Sequence, residues 1–200
     1  LDLVDPATLP PRPRIVWPPP EYSDRLSRPA AIAVAIARIE APRYGHQVIS
    51  DQHILLGVLR SDDGPAKYLL ATMGVTPAQV RQAVERSIGR PKPAIGDAAP
   101  GPSASRVVDL AASEAQGLQH EYVGTEHLLL AMLADQESAA GRALHELGVE
   151  VATFRKAVSD AVRLPKFQAG ADAVELLWID DQRNAHLLRG VRGVDGRILV

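Results

Sequence analysis

In 200 residues this sequence carries 22 basic and 24 acidic side chains, 46% hydrophobic residues and no cysteine. The net charge of −2 excludes the strong basic excess of a phosphate-driven nucleic-acid binder, and the lack of cysteine excludes disulfides, thiolate zinc sites and a cysteine nucleophile. Globular proportions exclude wholesale disorder, and no apolar run nears the about 18 residues of a membrane helix, so a soluble, cytoplasmic protein without a secretory leader is expected.

Prolines open the chain. Seven of the sixteen fall between Pro6 and Pro20, and a residue that fixes φ and lacks a donor predicts an extended or polyproline-like arm over 1–26. Pro10 and Pro13 form a PxxP spacing of the kind that docks on aromatic grooves, with a stiff lead-in as the preferred reading. Val16, Trp17 and Tyr22 are amphipathic anchors that would let the arm lie across a neighbouring groove, though such termini also commonly stay free.

A helical unit follows. Ile32, Ile36 and Ile39 keep the i, i+4, i+7 spacing of an apolar helix face in SRPAAIAVAIARIEA, and Pro42 with Gly45 closes it. Asp51 is a good N-cap for QHILLGVLR. Leu69, Leu70 and Met73 form another apolar face, Gly74 a left-handed stop, and Thr76 caps a helix with Pro77 at its first position and Val80, Ala83, Val84 and Ile88 inward. The stretch RPKPAIGDAAPGPS reads as a linker over 91–102.

The unit then repeats at a constant offset of 74 residues. His46 and His53 meet His120 and His127, Leu55, Leu56 and Leu59 meet Leu129, Leu130 and Leu133, and Gly74 and Arg81 meet Gly148 and Arg155. Thr125 takes the capping place before EHLLLAML. The fold expected is all-α, two tandem four-helix repeats over 27–90 and 103–163. After about Pro165 short apolar runs and the turn signal Asp195-Gly196 leave a strand meander over 164–200, or a helix over 171–179, both open.

Catalytic patterns are missing: the sequence has no GxSxG, HExxH or GxxxxGK[ST], so neither hydrolysis nor ATP turnover is expected. The four matched histidines invite a metal reading, but pairs seven residues apart across a turn fit no familiar ligand set. A structural role, with imidazole bonded to backbone at a cap and copied by duplication, is preferred, and no metal or cofactor is expected.

GHQVISDQHILLGVL and QHEYVGTEHLLLAML, each followed by LGV or MGV and a capped helix containing Arg81 or Arg155, resemble the Clp N-terminal domain of ClpA- and ClpC-type unfoldases over residues 27–163. That resemblance implies two repeats related by pseudo-twofold symmetry, docking adaptors and unfolding substrates, and in ClpC-type members binding phosphoarginine. In the family the Glu of GTEH receives the guanidinium, and a Thr starting the first helix of each half helps hold the phosphate. Here those positions and their neighbours are Glu126, Thr125, Gln52 and Ser27, with Gly101 at the second helix start. An amide cannot replace a carboxylate's charge-assisted fork, so the first-half guanidinium site is expected to be weakened, each half keeping one of the two features. Glu126 also has a bland account, an acid favoured by the dipole of a helix's first turn.

The function this implies is a non-enzymatic, stand-alone protein- or peptide-binding module of the Clp proteolysis system, acting as adaptor, decoy or regulator. Its partners would be Clp ATPase substrates or adaptors, including phosphoarginine-marked proteins, with no nucleic acid, membrane or ATP. The alternative is a protein that sequesters small molecules such as cyclic peptide antibiotics.

Overall fold

A computed structural model describes residues 17–61, 64–92, 96–163, 173–179, 185–192 and 198–199, with side chains through 160. The chain forms two compact units, Leu1–Val158 and Ser159–Val200. In the first, a single turn α1 (Pro20–Ser23) precedes α2 (Arg28–Arg43), β1 (Val48–Ile49), α3 (Asp51–Arg60), α4 (Pro65–Thr72) and α5 (Pro77–Ile88). Then come β2 (Ala99–Pro100), α6 (Pro102–Gly117), α7 (Thr125–Ala134), α8 (Ala139–Glu146) and α9 (Val151–Arg163), whose last residues enter the second unit.

The offset of 74 residues carries α2 onto α6, α3 onto α7 and α4 onto α8 with identical bounds, and starts α9 where α5 predicts. Each member of the α3 and α7 pair is apolar on almost every side, which requires burial all round. Ile54, Leu55, Leu56, Leu128, Leu129, Leu130 and Met132 are accordingly fully buried, with Phe154, Leu70 and Leu144 packed in the same core.

The repeats exchange backbone. β1 pairs in parallel with β2, matching Ile49 to Pro100, and the equivalent residues of the other half, Val123 and Leu26, form an isolated parallel bridge. Each repeat thus pairs with the segment leading into the other's first helix. The described part of the arm is not wholly extended: α1 is helical, Trp17 is buried and Leu26 makes that bridge. Val16 and the PxxP prolines lie outside the described residues.

The predicted helix over the isoleucine spacing is present as α2, but its apolar spacing does not mark the buried face. Ala30, Ala33, Val34, Ala37 and Ala41 are buried, whereas Ile32 and Ile39 are 42% and 64% exposed. The reason lies in α3: a Cβ on Gly57 would collide with the Ala33 carbonyl. The two helices meet backbone to backbone, and only small side chains fit between them. Gly57→Val is therefore expected to force α2 and α3 apart and cost at least about 3 kcal/mol, seen as a fall in the thermal midpoint. A midpoint within a degree or two of wild type would show the contact is looser than drawn.

A second correction concerns the caps. Asp51 and Thr125 are not N-caps of their own helices; Ser50 and Gly124 hold that place. The Asp51 carboxylate instead accepts from the Ala140 N–H (2.9 Å) and the Ser138 hydroxyl (2.7 Å), at the start of α8 in the opposite repeat. Thr125 Oγ1 accepts from the Ala66 N–H (3.3 Å) at the start of α4. The offset relates both pairs, so each repeat satisfies orphan donors of the other. Thr76 caps α5 as its position predicts, accepting from the Gln79 N–H at 3.3 Å, and Gly74 and Gly148 take positive φ.

In the second unit, β3 (Ala173–Ile179) pairs antiparallel with β4 (Ala185–Arg192), and β4 with β5 (Ile198–Leu199). The strand alternative is adopted over 173–179, where a helix was the other option. The Asp195-Gly196 turn lies outside the described residues. Among the described residues no helix is long and apolar enough to cross a membrane.

Candidate functional site

Two equivalent corners carry the expected site residues, at the starts of α3 and α7. At each, a histidine in the first turn is drawn inward and its Nδ1 accepts a backbone N–H. The Ser50 N–H donates to His53 Nδ1 (2.9 Å) and the Gly124 N–H to His127 Nδ1 (2.8 Å). With Nδ1 an acceptor, the neutral ring's proton sits on Nε2, directed at the second histidine of each pair. His53 Nε2 donates to His46 Nδ1 at 2.9 Å, and His127 Nε2 to His120 Nδ1 at 2.7 Å. Burial pushes His53 and His127 down to about 4, helped by the neighbouring His46 and His120. Burial also lowers His120. These dyads hold the helix starts.

His120, Glu126 and His127 bring one ligand atom each within 4.8 Å of one another. Both nitrogens of His127 are already committed, one to the Gly124 N–H and the other to His120. A cation taking His127 would therefore have to displace either the Gly124 bond or the contact with His120.

Glu126 lies in the first turn of α7 with its carboxylate folded back over Gly124, where a Cβ would leave it no room. Its side chain is 14% exposed. Burial raises its pKa, opposed by its own backbone N–H. Its Oε2 is buried with no hydrogen-bond partner. The equivalent Gln52 is also buried, and its Nε2 is a donor without a partner. One corner therefore wants a donor and the other an acceptor.

The helix starts that accompany these residues come from the opposite repeat. The Ser27 N–H donates to the Val123 carbonyl (2.9 Å) and the Val123 N–H to the Arg25 carbonyl (2.8 Å), which sets the start of α2 beside the segment leading into Glu126. At the other corner the Gly101 N–H donates to the Ile49 carbonyl (2.9 Å), setting the start of α6 beside the segment leading into Gln52. The reading by halves, in which each keeps one feature, is thereby corrected. The corner of Ser27 and Glu126 keeps both the hydroxyl and the carboxylate, and the corner of Gly101 and Gln52 keeps neither.

Ser27 caps α2, accepting from the Ala30 N–H at 3.4 Å. Thr125 is fully buried and spent on α4, which makes it a support of the corner and not a contact surface. Arg155 forks onto Glu114 (2.6 and 3.3 Å), and Arg81 lies against Tyr44, whose hydroxyl donates to Glu85 at 2.7 Å. The sequence missed the cross-repeat role of Asp51; no local signal marks a cap whose helix begins almost ninety residues away.

Comparison with known proteins places this arrangement. The family model described as Clp repeat (R) N-terminal domain matches residues 25–147 and 102–176. Chaperone protein ClpB of Oceanobacillus iheyensis is 36% identical over 146 residues, 73% of this chain and 18% of that protein. The negative regulator of genetic competence ClpC/MecB of Bacillus subtilis is 37% identical over 134 residues, 67% of this chain and 16% of that protein. The chain thus spans less than a fifth of the length of these relatives. Among solved structures, the N-terminal domain of ClpD from Arabidopsis thaliana is similar at TM-score 0.54 and 26% identity, covering 71% of this chain and 99% of that one. A ClpV N-domain in complex with a VipB peptide shares the fold at TM-score 0.60 and 18% identity, covering 70% of this chain and 88% of that one. With the duplicated helices, the matching motifs and these likenesses in agreement, the chain belongs to the Clp repeat N-terminal domain family.

Proposed function

We propose that this protein is a non-enzymatic peptide-binding module of a Clp proteolysis system, with repeats over 27–90 and 103–163 joined by 91–102 and extensions over 1–26 and 164–200. It acts as adaptor, decoy or regulator for the substrates of a ClpC-type unfoldase, and it engages phosphoarginine through one corner, not two. The observation that carries this reading is the buried Glu126 Oε2, which has no donor. A guanidinium supplies a fork of N–H donors to such a carboxylate. The phosphate would meet the Ser27 hydroxyl at the positive end of α2. Gln52 offers a guanidinium only one neutral acceptor oxygen, and its Nε2 is a donor that a guanidinium cannot satisfy.

The ClpV N-domain that shares the fold is seen with a VipB peptide, which supports a peptide as the ligand class here. The sequestering alternative gains no support from the groove between α5 and α8, where Ala83, Ala139 and Ala143 lie among Arg86, Ser87, Arg142 and Glu146 and no aromatic ring or large apolar side chain lines the surface.

Glu126→Gln tests the site. By fluorescence anisotropy with a labelled phosphoarginine peptide, binding should weaken at least about tenfold, while the melting temperature holds or rises because a carboxylate with one buried, unpartnered oxygen is gone. Ser27→Ala should weaken the same peptide and spare its unphosphorylated form. Equal affinity of wild type and Glu126→Gln would dismiss this corner; no binding by wild type would dismiss the ligand.

A further inference from the structure

The geometry points to a second, separate docking surface on the outer face of α2, built to take an amphipathic helix of a partner protein with acidic residues at both ends of its apolar stripe. The starting observation is the misplaced isoleucines. Ile32 and Ile39 stand 42% and 64% exposed, with the half-buried Ile36 between them. At 100° per residue Arg28, Ile32, Ile36, Ile39 and Arg43 fall within about 80° of one another, forming one stripe about 22 Å long with a guanidinium at each end.

Stability explains neither end nor middle. Isoleucine is a poorer helix former than the charged residues that usually fill an exposed face, so three of them there weaken α2 unless something covers them. Arg28 sits in the first turn, where a cation opposes the helix dipole. Arg43 is only partly engaged, its Nη1 lying 3.4 Å from Glu40 Oε1, and that carboxylate is also bonded by Arg60. Glu40, the one acid of α2, is fully buried.

The duplication sharpens the point. The offset carries Ile32, Ile36 and Ile39 onto Arg106, Leu110 and Ser113, and Arg106 is tied to Asp135 at 2.8 Å. The repeats share their buried alanine face and differ in the exposed one, so the stripe belongs to the first repeat alone.

Charge selects the occupant. A second copy packing α2 on α2 about a twofold axis would set each arginine against an arginine of its mate, which costs affinity. A bilayer would find a face narrower than an interfacial helix presents, with no aromatic on it. A partner helix with apolar residues at i, i+4 and i+7 and acids about 15 residues apart satisfies both the isoleucines and the arginines.

The test uses the 200-residue chain and two labelled helical peptides of about 20 residues, both with leucines at that spacing, one ending in glutamates and the other in lysines. Anisotropy should show the glutamate peptide bound at least about tenfold more tightly than the lysine peptide. Ile32→Ser/Ile39→Ser should weaken it about tenfold or more, Arg28→Glu should narrow the preference between peptides, and Glu126→Gln should leave both unchanged. Circular dichroism melts matching wild type would certify the fold of these variants. Four results would each overturn the proposal: no binding of the glutamate peptide, equal binding of both peptides, a dimer in sedimentation that Ile32→Ser/Ile39→Ser dissolves, or cosedimentation with phosphatidylglycerol vesicles that the same variant abolishes.

Discussion

Lowering the pH from 7 to 4 is expected to remove several kcal/mol of stability, most of it through His53 and His127. Both are buried and neutral in the fold, with pKa values pushed from 6.5 down to about 4. The unfolded chain therefore binds protons that the folded chain refuses. The stabilisation is complete above about pH 6.5 and drains away as the pH falls toward 4, at up to about 1.4 kcal/mol per pH unit for each histidine. Asp51 and Glu40 act on His53 in the opposite sense, and His46 and His120 in the same sense as burial. Glu126 opposes the trend: its raised pKa means that its ionised form weighs against folding at neutral pH, and its protonation at low pH relieves that cost. It is one group against two.

Protonation would also break geometry, because a charged imidazole has no acceptor for the Ser50 or Gly124 N–H. Denaturant titrations between pH 7 and 4 read the effect directly. The pair His53→Asn/His127→Asn, whose amide oxygens can still accept those N–H groups, should start less stable and lose much less on acidification. A wild-type midpoint flat between pH 6.5 and 4.5 would contradict the buried, neutral dyads.

Asp51→Ala is expected to destabilise the domain by about 3 kcal/mol. The carboxylate is buried and takes two donors, the Ala140 N–H and the Ser138 hydroxyl, so its removal strands both inside the protein. For a chain of this size that corresponds to a fall of roughly 6–12 °C in melting temperature. Thr125→Val, which removes a single neutral acceptor for the Ala66 N–H, should cost about 1 kcal/mol. The ordering matters more than the values. Asp51→Asn, which keeps an acceptor oxygen, should recover part of the loss; if Asp51→Ala and Thr125→Val proved equal and small, the cross-repeat caps would not be holding the two halves together.

The duplication, the helical class and the family were legible because they are carried by local pattern. Periodicity marks helices, Gly74 and Thr76 mark their ends, and a gapless offset of 74 residues is visible without any coordinates. The candidate residues Ser27, Gln52, Thr125 and Glu126 could be named by motif. Which of them belong together could not, since the partners are furnished by the other repeat through backbone bonds at Val123 and Ile49.

The amino-acid order by itself determined that two copies of one helical unit would form, since helix starts, stops and apolar spacing act over a few residues. Tertiary structure alone decided three things. It turned the alanines of α2 inward and its isoleucines outward, because Gly57 brings two backbones into contact and leaves no space for branched side chains. It sent Asp51 and Thr125 to cap helices in the opposite half. It gathered Ser27 with Glu126 at one corner and Gly101 with Gln52 at the other. Each depends on groups far apart along the chain, whose meeting is fixed by how the repeats pack and not by the preferences of any residue for its neighbours.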